Sequence, residues 1–124
     1  MSSERYERGT RVREEVLGQE YSPTEGADAK LIAAYDAMST EVAWADVWSR
    51  PELPLKTRSL LAIAFLAALD RREQLRVHVK GAIRTGNSKV EIAEVLMQSA
   101  IYCGFPVASN CFKLAQEVFD EMGI

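Results

Sequence analysis

Along the chain, apolar residues recur at three- and four-residue steps, and no stretch shows the period-2 alternation of a half-buried strand. The pattern predicts an all-α protein. Residues 4–17 read as a charged helix whose sparse apolar positions are Tyr6, Val12, Val16 and Leu17, with Gly18 placed to stop it. Residues 19–27, with Ser22-Pro23 and Gly26, are loop-like. A second helix is expected over about 28–48 on Leu31, Ile32, Tyr35, Met38, Val42 and Ala45. Arg50-Pro51 ends it, and Pro51 with Pro54 makes a short extended link.

The next helix, 56–69, contains SLLAIAFLAAL and is apolar around its whole circumference. Such an element is expected to be buried on all sides. A chain this small has little room for one unless neighbouring subunits help to cover it, so the pattern argues for oligomerisation. A further helix restarts at Asp70 and runs to about 84, where Thr85-Gly86-Asn87 closes it. Ser88-Lys89-Val90-Glu91 matches a capping box, which places the start of a helix there that continues to about 102. Cys103-Gly104-Phe105-Pro106 breaks the chain before a last helix over about 107–121, with Val107, Cys111, Leu114, Ala115 and Val118 on one face.

Composition narrows the class. At 124 residues, 48% hydrophobic and 27% charged, the sequence reads as a single domain spanning 1–124 and an ordinary globular protein. With 15 basic and 18 acidic residues and no basic block, it carries no nucleic-acid footprint. The charged N-terminus lacks the apolar segment of a signal peptide. The longest apolar run, 60–69, has about half the length needed to cross a bilayer. A cytoplasmic protein with no membrane partner is therefore expected, its two cysteines, Cys103 and Cys111, being reduced thiols.

Candidate chemistry is concentrated in three segments. His78 is the single histidine, and a group that titrates near neutral pH suits proton transfer. Arg71 and Gln74 share its helix face, whereas Glu73 is offset by about 140°. As a pattern this also fits a solvated face bearing a surface histidine. In WADVWSRP, Trp44, Asp46 and Trp48 crowd a helix end, where indoles can wall a pocket and a carboxylate can orient a ligand. The same crowding fits a core corner with Asp46 bonded locally. Arg58 opens the apolar helix, where a guanidinium normally has a carboxylate partner, from the protein or a substrate. The third segment, YCGFP at 102–106, would present backbone amides at the start of the last helix, an arrangement suited to anions. There is no phosphate loop, no dinucleotide fingerprint and no helix-spaced metal pair.

The same segments carry a family resemblance. RYERGTRVREEVLG at 5–18, the stretch 44–69, the stretch 73–110 and LAQEVF at 114–119 are similar, in one collinear order, to the carboxymuconolactone decarboxylases. W-x-D-x-W, T-R-S-L, L-R-x-H-V and Y-C-G-x-P are specific in combination. The resemblance implies a compact protomer of about six helices, assembled as a homotrimer or homohexamer. It also implies decarboxylation of a small lactone acid, 4-carboxymuconolactone, to the enol lactone of beta-ketoadipate in aromatic breakdown, with no metal or organic cofactor. On that reading His78 donates the proton, Glu73 orients it or relays the proton, and Arg58 grips a substrate carboxylate. Arg76, 200° from His78 around the helix, is the weaker choice. Trp44 and Trp48 would wall the pocket, Asp46 would orient the ligand, and the Gly104–Pro106 turn would supply amide donors.

The wider superfamily includes alkyl hydroperoxide reductase D-like proteins with a Cys-x-x-Cys-x-x-x-His motif. Arg71 and Gln74 occupy those cysteine positions here, so thiol exchange is not expected. Two further departures concern the decarboxylases themselves. Where they tend to carry histidines, this chain has the stretch Gln19-Glu20-Tyr21-Ser22 and Lys113. These differences extend the expectation to a related cofactor-free lyase or isomerase acting on another lactone or beta-keto acid, or to a non-catalytic oligomeric binding protein.

Overall fold

A computed structural model describes residues 3–124. Among them are six α-helices, one π-helical segment and no strand. The expectation of an all-α protein with about six helices agrees with this. Where the sequence reads as one domain, packing divides the chain into two compact units, one ending at Pro54 and one spanning 55–124.

In the first unit, helix α1 (Glu4–Leu17) starts at Ser3, whose hydroxyl accepts the Tyr6 amide at 3.0 Å, and Glu4 and Glu7 suit the positive end of its dipole. Gly18, at φ 91°, ends it. Helix α2 (Ala29–Met38) is capped by Asp28, which accepts the Lys30 amide at 2.8 Å. The single helix expected over 28–48 is not formed. After Met38 the chain continues, without leaving helical dihedrals, into a π-helical segment, Ser39–Trp48. Its last turn closes with Ser49 N–H donating to the Trp44 carbonyl, five residues back, at 3.0 Å. Within this segment Thr40 and Trp44 are buried and Trp48 is half-buried.

The expected stripe is left outside. Leu31 is 85% exposed, and Tyr35, Met38 and Val42 are also exposed. The closest approach in this unit is between α1 and the π-helical segment, where a Cβ on Gly9 would lie 2.2 Å from the Thr40 carbonyl oxygen. Around that contact, Arg13 Nη1 donates to Thr40 Oγ1 at 2.7 Å and the Tyr6 hydroxyl donates to Asp36 at 2.7 Å.

The second unit holds α3 (Leu55–Ala68), α4 (Arg72–Arg84), α5 (Lys89–Cys103) and α6 (Phe105–Met122). Helix α3 packs against α4, α5 and α6, and the core joins Ile63, Ala67, Leu75, Val79, Ile92, Leu96, Leu114 and Val118. The capping box is formed in full: Glu91 N–H donates to Ser88 Oγ, and Ser88 N–H to the Glu91 carboxylate, each at 3.0 Å. Between α3 and α4, Asp70 takes a left-handed conformation (φ 55°). Asp70 N–H then reaches the Ala67 carbonyl and Arg71 N–H the Leu66 carbonyl, a helix-ending motif that delays α4 to Arg72.

Helix α3 is not buried on all sides within the chain. Ser59, Ile63 and Ala67 face the core, but Leu61, Phe65 (63% exposed) and Leu69 (61% exposed) do not. Leu61 and Phe65 line a groove of about 320 Å³ between α3 and α5, together with Leu60, Ala64, Val95 and Tyr102 among others. No helix among the described residues is long and apolar enough to cross a membrane.

Candidate active site

His78 owes its setting to its place on α4. The buried stripe of that helix runs through Leu75, Val79 and Ala82. At about 100° per residue, His78 lies roughly 40° from Ala82 and 60° from Leu75, at the edge of the core-facing side. Packing therefore draws the imidazole largely out of water, and burial pushes its pKa from 6.5 down to about 4. Of the two patterns that the sequence allows, the solvated surface histidine is not the one observed. At neutral pH the ring is uncharged, a hydrogen-bonding base rather than a standing acid. Arg71 and Gln74, on the same side but nearer the helix start, remain exposed.

Arg58 lies in the first turn of α3, half-buried, with its Nε inside the protein. Its neighbour Ser59 is fully buried and hydrogen-bonds Thr85 at the C-terminal end of α4, with an Oγ–Oγ distance of 3.0 Å. The beginning of α3 thus meets the end of α4, and His78 sits about two turns, roughly 10 Å, back along α4 from that level.

Glu73 occupies different ground. It is exposed and lines a polar cleft of about 300 Å³ between α4 and α6, together with Arg72, Arg76, Asn110, Lys113 and Glu117. Arg76 on that side is held by Glu117 at 2.7 Å and Glu121 at 3.3 Å, which raise its pKa further. The structure therefore does not bring Glu73 to His78, and Arg76 is engaged with α6.

In the first unit, the rings of Trp44 and Trp48 stack with centroids 4.7 Å apart and planes at 28°. They form one continuous aromatic wall, Trp44 buried and Trp48 half-buried. Asp46 lies between them in sequence but on the exposed side. Arg5 holds it with two hydrogen bonds, at 3.0 and 2.5 Å, and lowers its pKa. That bidentate pair ties the π-helical segment to α1. Gly104, at φ 95°, turns the chain from α5 into α6, and Phe105 and Pro106 are exposed at the start of α6. No side chain caps that helix start, and Pro106 has no amide hydrogen to offer.

Sequence reasoning passed over two buried polar residues where the end of α4 meets the start of α3. Asn87 is 4% exposed and Ser59 is fully buried. Asn87 reads in sequence as an ordinary turn residue, and only the fold reveals that its side-chain amide reaches α3. Among the described residues, no three His, Cys, Asp or Glu side chains converge as a metal-binding group.

Known proteins are similar over the same residues. Residues 33–117 match the sequence model of the carboxymuconolactone decarboxylase family. A 4-carboxymuconolactone decarboxylase from Acinetobacter baylyi is 36% identical over 122 residues, covering 98% of this chain and 91% of the relative. A nitrosuccinic acid decarboxylase from Metarhizium robertsii is 33% identical over 118 residues, covering 94% and 82% respectively. An uncharacterised 15.0 kDa protein from Paracoccus denitrificans is 32% identical over 94 residues, covering 74% and 70%.

The depressed pKa of His78 makes a stability prediction. Between pH 6.5 and about 4 the unfolded chain binds a proton at this histidine and the folded chain does not. Unfolding is therefore favoured progressively as pH falls through that window, by roughly 3 kcal/mol in all at about 1.4 kcal/mol per unit. The difference in unfolding free energy between the wild type and His78→Gln, measured by urea titration from pH 7.5 to 4, is expected to change by that order. A constant difference across the window would mean that His78 is solvated.

Proposed function

The chain belongs to the carboxymuconolactone decarboxylase family, and we propose that it acts in the cytoplasm as a decarboxylase on 4-carboxymuconolactone, giving the enol lactone of beta-ketoadipate. The observation that carries this reading is the 36% identity to a 4-carboxymuconolactone decarboxylase along 98% of the chain. The desolvated histidine is the feature of the site that fits the chemistry.

In this reaction the bond between the ring carbon and its carboxylate breaks and CO2 leaves. The electron pair runs through the ring double bond to the lactone carbonyl, forming a dienolate. A proton delivered to the ring carbon beside the carbonyl then gives the enol lactone. No external electron sink is needed, because the lactone supplies one. The chain's part is to hold anionic groups, exclude water and provide one proton.

His78 is neutral in the resting protein, so its role as donor depends on the substrate. A carboxylate brought into a site with little water favours the charged imidazolium and raises the pKa from about 4. The substrate's arrival thus loads the proton that the dienolate then takes. Arg58 pairs with a substrate carboxylate through a planar guanidinium. Glu73 and Asp46 take no part in this account.

The similarity to a nitrosuccinic acid decarboxylase favours one second reading, a nitro acid as substrate. The two chemistries share a design, because a nitro group, like a conjugated lactone, accepts the electron pair that CO2 leaves behind. The requirement for a grip on a carboxylate and one deliverable proton is the same.

Assembly as a homotrimer or homohexamer belongs to the same proposal. It is supported by the uncovered face of α3, where Leu61 and Phe65 are exposed in an apolar groove. Contiguous apolar surface of this kind favours burial against another copy.

Two measurements test these readings. Incubated with 4-carboxymuconolactone, the purified chain is expected to release CO2, and His78→Gln to lower kcat by about a hundredfold or more. Release from nitrosuccinic acid alone would select the second reading, and an unimpaired His78→Gln would remove the histidine from the mechanism. By light scattering after gel filtration, the wild type is expected at the mass of a trimer or hexamer and Phe65→Glu at a lower one, with helicity retained. A monomeric wild type would contradict the assembly.

A further inference from the structure

We infer that Thr85 and Asn87, at the junction of α4 and α5, are positioning residues that set the place of Arg58. This rests on the reading of Arg58 as the group that grips a substrate carboxylate. The two side chains reach α3 on either side of that arginine in sequence. Asn87 Nδ2 donates to the Lys56 carbonyl at 3.0 Å and to the Ala82 carbonyl at 3.2 Å. Thr85 Oγ1 lies within hydrogen-bond distance of Ser59 Oγ, at 3.0 Å, and of the Ala82 carbonyl, at 3.2 Å. The Ala82 carbonyl is thus a common anchor on α4, and Lys56 and Ser59 bracket Arg58 on α3.

The burial of these groups gives the clamp its rigidity. Ser59 is fully buried and Asn87 nearly so, so water does not readily replace the hydrogen bonds. The first turn of a helix is where fraying begins, because its amide groups lack partners within the helix. A guanidinium carried there inherits any looseness of the turn. Displacements near 1 Å at a group that orients a substrate are enough to lower rates or binding markedly. Asn87 is itself fixed by its backbone, whose N–H donates to Ala82 at 2.9 Å, and by the capping box that follows at Ser88 and Glu91. The junction therefore transmits the position of α4, which carries His78, to the start of α3, which carries Arg58.

A merely structural role would lower stability and leave the arginine in place, and two readouts separate the alternatives. In protein labelled with ¹⁵N-arginine, the Arg58 Nε–H resonance is identified by its loss in Arg58→Lys. Thr85→Val, which keeps the side-chain shape and removes the hydroxyl, is expected to shift that resonance and speed its solvent exchange, with Thr85→Ser restoring both. Ile92→Val, a core substitution, serves as a stability control that leaves the resonance unmoved. With 4-carboxymuconolactone, Thr85→Val is expected to raise KM about fivefold, the effect of one hydrogen bond, with kcat within about twofold. Asn87→Ala is expected to act in the same direction where it folds. An unchanged Arg58 resonance in Thr85→Val would overturn the positioning role whatever the kinetics. A KM unaffected by Arg58→Ala would instead remove Arg58 from substrate binding, and the resonance would still decide whether the clamp holds it.

Discussion

His78 enters the folded protein with most of its hydration removed, and the packing of α4 against α3 and α6 has to offset that loss. The offset is available because the ring flanks the buried stripe of Leu75, Val79 and Ala82, whose burial favours folding. The price of the arrangement appears only below pH 6.5, where a solvated imidazole would take a proton and this one does not. Its consequence is chemical. A histidine that stays neutral until an anion arrives is not an acid in the empty site, and it becomes one only beside a carboxylate.

Much of the second unit can be understood as support for that ring and for Arg58. The core of α3, α4, α5 and α6 fixes the two helices that carry them, and the Thr85–Asn87 junction ties their ends together. Charges on the far side of α4 are otherwise engaged: Arg76 binds Glu117 and Glu121, and Glu73 faces the cleft beside them. The first unit follows a different logic. Its π-helical segment stacks Trp44 on Trp48 and buries Thr40 against Gly9. Wide helical turns of this kind are frequent at functional sites.

Helix positions were legible in sequence wherever local signals act locally. Gly18, the Ser88–Glu91 box and Gly104 each mark a helix end through their own backbone or side-chain chemistry. The stripe Leu31, Tyr35, Met38 and Val42 forms a helical face as its period predicts, but within the chain that face stays exposed, because a period along the sequence does not say what packs against it. At the site, the pattern Arg71, Gln74, His78 suggested a polar face. The interleaved Leu75 and Ala82 were the signal that His78 sits at a core edge. The surroundings of Asp46 and Glu73 were not legible in the sequence for a different reason. The partners that engage or surround them, Arg5 for Asp46 and the Arg72–Arg76 cleft for Glu73, are set by helix packing and not by spacing along the chain.

The claim that binding loads the proton is open to direct observation, since the chain has a single histidine. A ¹H–¹⁵N or ¹H–¹³C titration of the imidazole follows His78 in the free protein and in the presence of a non-reactive lactone carboxylate. The account predicts a midpoint near 4 in the free protein and an upward shift toward neutrality when the anion is bound. A midpoint near 6.5 without ligand, or one that stays near 4 with the anion in place, would contradict it.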